Sequence, residues 1–119
     1  MEDLVTKGNG LDAYRGCEVL ITGHTGFKGS WLTLILSRQG AHVHGLALAP
    51  PSDRPSLFES AAIADHLESS IIADIRDAAA VREAVNRVAP RIIFHLAAQS
   101  LVRRSYRDPL DTFATNVLG

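Results

Sequence analysis

Three glycines spaced three apart, Gly23, Gly26 and Gly29, constrain this chain more than any other feature, because they sit between a strand-like and a helix-like segment. The preceding run, Cys17–Thr22 (CEVLIT), is short, apolar and β-branched, as a strand buried on both faces should be. The following run, Ser30–Arg38, is apolar nearly all round through Trp31, Leu32, Leu34, Ile35 and Leu36, and Gly40 stands where a left-handed residue ends a helix. Glycine is needed where a backbone turns sharply, or where another group must approach without a Cβ in the way. The free N–H groups of the helix's first turn point into such a loop and favour an anion there. The unit therefore predicts a phosphate-holding loop over residues 23–29.

The rest of the chain repeats the alternation. Ala41–Leu48 reads as a second strand, followed by a loop with Pro50, Pro51 and Pro55. Ser56-Leu57-Phe58-Glu59 fits a capping box and a short helix. Ser69–Ala73 reads as a third strand, and Asp77 caps a helix with Val81, Ala84, Val85 and Val88 on one face, stopped by Pro90. Arg91–Leu96 is a fourth strand. Asp108-Pro109 then opens a last helix with the stripe Leu110, Phe113, Ala114, Val117 and Leu118. Strands alternating with helices predict an α/β fold, a Rossmann-type doubly wound parallel sheet with helices on both faces. About four strands make that sheet incomplete, so the sequence reads as the N-terminal, truncated part of a larger domain. Residues 1–16 read as a polar leader and 17–119 as the dinucleotide-binding domain.

Bulk properties exclude several classes. A chain of 119 residues with net charge −1 builds one core and no field that would draw nucleic acid or an anionic membrane. The start, Met1-Glu2-Asp3-Leu4, is acidic where a signal peptide is basic, no apolar run is long enough to span a membrane, and Cys17 is the single cysteine. These features predict a cytoplasmic protein with no membrane and no nucleic-acid partner. Of the five histidines, His42 and His44 share a strand face, while His24, His66 and His95 fall on separate elements, so no metal site is expected. Arg103, Arg104 and Arg107 read as a solvated basic face. A nucleoside-triphosphate P-loop needs Gly, four residues, then Gly-Lys-Ser/Thr. Here Lys28-Gly29-Ser30 has lysine and glycine in the wrong order.

Candidate binding residues follow from the fold. The loop itself supplies Gly23, His24, Thr25, Gly26, Phe27, Lys28 and Gly29. Lys28 is a cation at the positive end of a helix, a conflict that a bound phosphate would remove, and His24 is similar. In a doubly wound sheet the ligand lies where strand order reverses, at the carboxyl ends of the first and fourth strands. The fourth ends in His95-Leu96-Ala97-Ala98-Gln99, whose small residues leave room for a flat ring or a ribose. Asp74 ends the third strand, where a carboxylate can accept from an adenine amino group or simply close a turn.

At Thr22–Gly29 and Ala97–Gln99 the chain resembles the extended short-chain dehydrogenase/reductase superfamily of nucleotide-sugar enzymes. The stretches 23–32, 55–59 (PSLFE), 74–77 (DIRD) and 97–106 (AAQSLVRRSY) are similar to its 4,6-dehydratases, in the branch that takes CDP-glucose. The likeness runs over about residues 15–119. Relatives acting on other nucleotide sugars usually carry Ile at the position of Lys28. The resemblance implies a homo-oligomeric enzyme holding NAD, with a nucleotide sugar as substrate. NAD oxidises C4 of the glucose, water leaves from C5 and C6, and the hydride returns to C6. The product, CDP-4-keto-6-deoxyglucose, belongs to deoxysugar synthesis for polysaccharides such as O-antigen. By the same resemblance Gly23, Gly26 and Gly29 hold the pyrophosphate, and Asp74 with Ile75 meets the adenine. Ala97, Ala98 and Gln99 line the nicotinamide side, and Asn116 matches a structural asparagine.

Two departures stand against a full carry-over. The superfamily's Tyr-x-x-x-Lys pair is not in this sequence: four residues after Tyr106 comes Leu110, and no lysine follows Lys28. No catalytic residue is therefore assigned. A carboxylate also commonly grips the adenosine ribose about twenty residues beyond the glycine loop. The second strand ends instead in Leu48-Ala49-Pro50, with no acid before Asp53 and with Arg54 next to it. The residues alone thus admit NADP, while the resemblance favours NAD. A non-catalytic dinucleotide sensor and another epimerase or reductase of the superfamily are the alternatives.

Overall fold

The computed structural model describes residues 10–119, so most of the expected polar leader lies outside the described residues. Its centre is a parallel sheet of β1 (Glu18–Thr22), β2 (His42–Ala47), β3 (Ser69–Ile72) and β4 (Ile92–His95), in the order β3-β2-β1-β4. Register runs Glu18 to His42 and Thr22 to Leu46 on one side of β1, and Val19 to Ile92 and Thr22 to His95 on the other. Strand order therefore reverses between β1 and β4, as a doubly wound sheet requires.

Alternation of side chains along β1 feeds two cores. Val19 and Ile21 pack with Leu36, Ala41, Val43 and Cys17 under α1 (Phe27–Arg38). Leu20 packs with Leu46, Ala84 and Val88 under α3 (Ala78–Val88). Each fully buried Val, Leu or Ile contributes roughly 1.5–3 kcal/mol, so these two layers fix the sheet before any polar contact is counted.

Local signals end the helices where the sequence predicts. Gly40, at φ 86°, closes α1: its N–H donates to Ser37 at 3.0 Å and the Ala41 N–H donates to Leu36 at 3.1 Å, the paired bonds of a Schellman motif. The Ser56 hydroxyl accepts from the Glu59 N–H at the start of α2 (Leu57–Ser60). Asp77 caps α3 by accepting from Ala79 and Ala80. Asp108 caps α5 (Pro109–Phe113) by accepting from Asp111.

Two expectations change, and one basic stretch gains an element. α1 begins at Phe27, three residues before the expected Ser30, because Gly26 is an ordinary extended N-cap (φ −78°, ψ 174°) and Gly29 can lie inside the first turn. The solvated basic face of Arg103, Arg104 and Arg107 lies on a short helix, α4 (Val102–Arg107). The last helix is split into α5 and a π turn, Ala114–Leu118, and its apolar stripe is not a buried face, with Leu110 81% and Leu118 73% exposed. Ahead of β1, a short 3₁₀ turn, Leu11–Tyr14, lays the Tyr14 ring against Phe94, with ring centres 6.1 Å apart.

Candidate functional site

The three glycines of the loop do three different jobs. Gly23 sits at φ 80°, donates its N–H to Leu46 at 2.9 Å, and has the Leu96–Ala97 backbone 2.9 Å from where a Cβ would be. Gly29 lets the first turn of α1 lie on the Gly23–His24 backbone, since a Cβ there would overlap the Gly23 carbonyl. Gly26 is exposed, and a Cβ would meet only the Gly23 carbonyl oxygen at 3.3 Å. Two glycines thus hold the loop closed, and one leaves its outer surface bare.

That surface is the N-terminus of a twelve-residue helix with no side-chain cap. Its first-turn N–H groups have no intrahelical acceptors, and no other described residue caps them. Phe27 and Lys28 are exposed, and among the described residues Lys28 has no ion-pair partner. The Thr25 hydroxyl donates to the Leu48 carbonyl at 2.8 Å, and the Ser30 hydroxyl donates to the His24 carbonyl at 3.1 Å, which pins both ends of the loop. A bare glycine surface beside free N–H donors fits a pyrophosphate.

His24 is not the exposed cation the sequence suggests. Its ring is fully buried, edge-on to Phe58, with Nε2 2.7 Å from the Ser70 hydroxyl. Desolvation pushes its pKa down to about 4, against a weaker opposing pull from the Leu46 backbone. The Leu46 carbonyl already accepts from Gly23, and Nδ1 has no hydrogen-bond partner. At neutral pH the ring is uncharged, so His24 can offer a ligand at this loop only its backbone.

The glycine loop and the end of β4 meet through Thr22, a residue with no separate role in the sequence reading. Its hydroxyl accepts from the Leu96 N–H at 3.1 Å and the Ala97 N–H at 3.2 Å. The same hydroxyl lies 2.7 Å from His95 Nδ1, within hydrogen-bond distance. Beyond it, Asn116 grips the Gln99 main chain at both groups, and the Gln99 side chain donates to the Thr112 hydroxyl at 3.0 Å and accepts from the Leu101 N–H at 2.7 Å. Ala97 and Ala98 lie between these anchors with no side chain beyond Cβ.

Asp74 lies at the end of β3, away from the loop, and its carboxylate is engaged. It accepts from the Arg76 N–H at 2.9 Å, from Nε at 3.0 and 3.1 Å, and from Nη2 at 2.7 Å. The guanidinium bonds hold the carboxyl below its usual range. Ile75 packs against the Leu20–Leu46 core. His42 meets Glu68, and His44 lies between Glu18 and Ser69; no group of three or more His, Cys, Asp or Glu among the described residues is arranged to hold a metal ion. Among them, too, no helix is long and apolar enough to cross a membrane.

A parallel sheet in this order, with an uncapped helix and a glycine turn beside the point of reversal, defines a Rossmann-type α/β unit. Residues 20–119 match the GDP-mannose 4,6 dehydratase family, and the chain belongs to it. It is 51% identical over 106 residues to the CDP-glucose 4,6-dehydratase of Salmonella typhimurium strain LT2, across 89% of this chain and 29% of that enzyme. The epimerase Mth375 of Methanothermobacter thermautotrophicus superposes with a TM-score of 0.73 at 27% identity, over 91% of this chain and 30% of its own. The UDP-glucose 4-epimerase of Thermus thermophilus, solved in complex with NAD, gives 0.69 at 29% identity, over 84% and 30%. The chain thus spans under a third of the length of these relatives.

Proposed function

We propose that this chain is the dinucleotide-binding part of a nucleotide-sugar 4,6-dehydratase, taking NAD as cofactor and CDP-glucose as substrate. The observation that carries this reading is the uncapped N-terminus of α1 over the bare face of Gly26, at the reversal of strand order. Bound there, NAD would accept a hydride from the sugar and return it. The chain's own part is binding and orientation. Gly26 admits the pyrophosphate to within reach of the N–H groups of Phe27, Lys28 and Gly29, and the Lys28 ammonium adds countercharge. Ala97 and Ala98 leave room for the nicotinamide ribose, and Gln99 is fixed by Asn116 on that side. Asp74 keeps acceptor capacity on Oδ2 for an adenine amino group, and Ile75 supplies apolar surface beside it.

The choice of CDP-glucose rests on the Salmonella relative and on Lys28. NAD is preferred over NADP because structural neighbours were crystallised with NAD. The same reading places the protein in the cytoplasm as a homo-oligomer, acting in deoxysugar synthesis. Gly26→Val tests it. The substitution fits the backbone, so the melting temperature should hold while calorimetry shows at least a tenfold loss of NAD affinity, about 1.4 kcal/mol. Unchanged affinity would place the binding site elsewhere.

A further inference from the structure

The first turn of α5 reaches both lips of the proposed cradle from adjacent residues. Thr112 bonds the Gln99 side chain at 3.0 Å, on the nicotinamide side. Asp111, one residue earlier, accepts from Arg76 Nη1 at 3.0 Å and from Arg104 Nη2 at 2.9 Å. Arg76 in turn grips Asp74 with Nε and Nη2, at distances down to 2.7 Å. Four alternating charges, Asp74, Arg76, Asp111 and Arg104, therefore run from the end of β3 to α4.

Ion pairs with half-exposed arginines contribute little to stability, and the side chains of Arg76 and Arg104 are 43% and 58% exposed. What the chain of charges does fix is direction. A guanidinium is a planar fork, so holding Nη1 in place sets the plane in which Nε and Nη2 meet a carboxylate. Asp111 is the best shielded member with an arginine on each oxygen, its side chain 18% exposed. It is anchored in the capped turn opened by Asp108.

We infer that Asp111 is a positioning residue: through Arg76 it orients the Asp74 carboxylate toward the adenine amino group of a dinucleotide. This rests on the proposed binding function and adds a residue to it. With Arg76 Nε shared between both Asp74 oxygens, Oδ2 retains a lone pair for one more donor. The direction of that lone pair is what Asp111 sets from α5.

The test compares NAD with nicotinamide hypoxanthine dinucleotide, which carries a carbonyl where adenine carries its amino group. Affinities of the full chain for both are measured by calorimetry, alongside thermal melts. The unaltered protein should prefer NAD by about tenfold, the worth of one well-made hydrogen bond. Asp111→Asn should cut that preference to about threefold or less while Asp111→Glu restores most of it, and high salt should narrow the preference of the unaltered protein but not of Asp111→Asn. Arg76→Gln, which leaves α5 untouched, should cut it equally and serves if Asp111→Asn melts early. An unchanged preference in either variant overturns the inference, as does equal binding of both dinucleotides by the unaltered protein. Failure to bind either dinucleotide overturns the binding function itself.

Discussion

Gly45, in the middle of β2, lies directly against the imidazole of His24: any Cβ at position 45 would overlap the ring. The glycine loop is thus keyed into the sheet by a side chain whose space a missing side chain provides. Gly45→Ala should cost about 1–3 kcal/mol in urea unfolding, the usual range for overpacking a closed core. In a His24→Ala background the same substitution should cost well under half as much, because the ring it strikes is gone. Additive losses in that double-mutant cycle would show the two residues to be uncoupled.

The burial of His24 makes stability pH-dependent in a defined window. Unfolded, the ring takes up its proton near 6.5; folded, only near 4. Between those values the unfolded state binds more protons, so stability is complete above the upper value and is lost as pH falls toward the lower one. One pKa unit corresponds to about 1.4 kcal/mol, and the loss from this ring should be on the order of 3 kcal/mol. Urea midpoints across that range should fall in the unaltered protein and flatten in His24→Gln. Parallel slopes would assign the acid sensitivity to other groups.

Gly29 and Gly26 should answer alanine differently. Inside a helix, Gly→Ala gains about 1 kcal/mol, but at Gly29 the new methyl would overlap the Gly23 carbonyl. Overlap with fixed backbone outweighs that gain, and Gly29→Ala should be net destabilising by roughly 1–2 kcal/mol. Gly26→Ala meets only one oxygen at 3.3 Å and should stay within about 0.5 kcal/mol of the parent. Equilibrium unfolding of the two variants side by side distinguishes them.

Residues 1–119 tested alone should form no 4-keto sugar from CDP-glucose. Oxidation at C4 needs a base for the hydroxyl proton, and elimination needs an acid for the departing oxygen. Tyr14 packs on Phe94, and Tyr106 is 84% exposed, with Leu110 where the superfamily's lysine would stand. An assay following NADH absorbance and keto-sugar formation checks this, and reproducible turnover would reveal a base and acid within these residues.

Features written in short-range contacts were legible in the residues without a structure. The strand at 18–22 announces itself by its β-branched run. Ser56, Asp77, Asp108 and Gly40 mark helix ends because each cap bonds a main-chain group within a few residues. The glycine triplet between strand and helix located the candidate loop. Packing set the roles within it, because those depend on which distant groups the fold brings together. His24 reads as a cation near a phosphate until the space over Gly45 removes it from water and its charge with it. Asp74 reads as a wholly free acceptor until Arg76, itself held by Asp111 thirty-five residues further on, takes up most of its acceptor sites and fixes the direction of what remains. Lys28 keeps the character read from its position in the chain, since it stays exposed and unpaired among the described residues. A side chain's type is local information, but its charge and direction are set by the dielectric and the partners around it, and those exist only once the chain has folded.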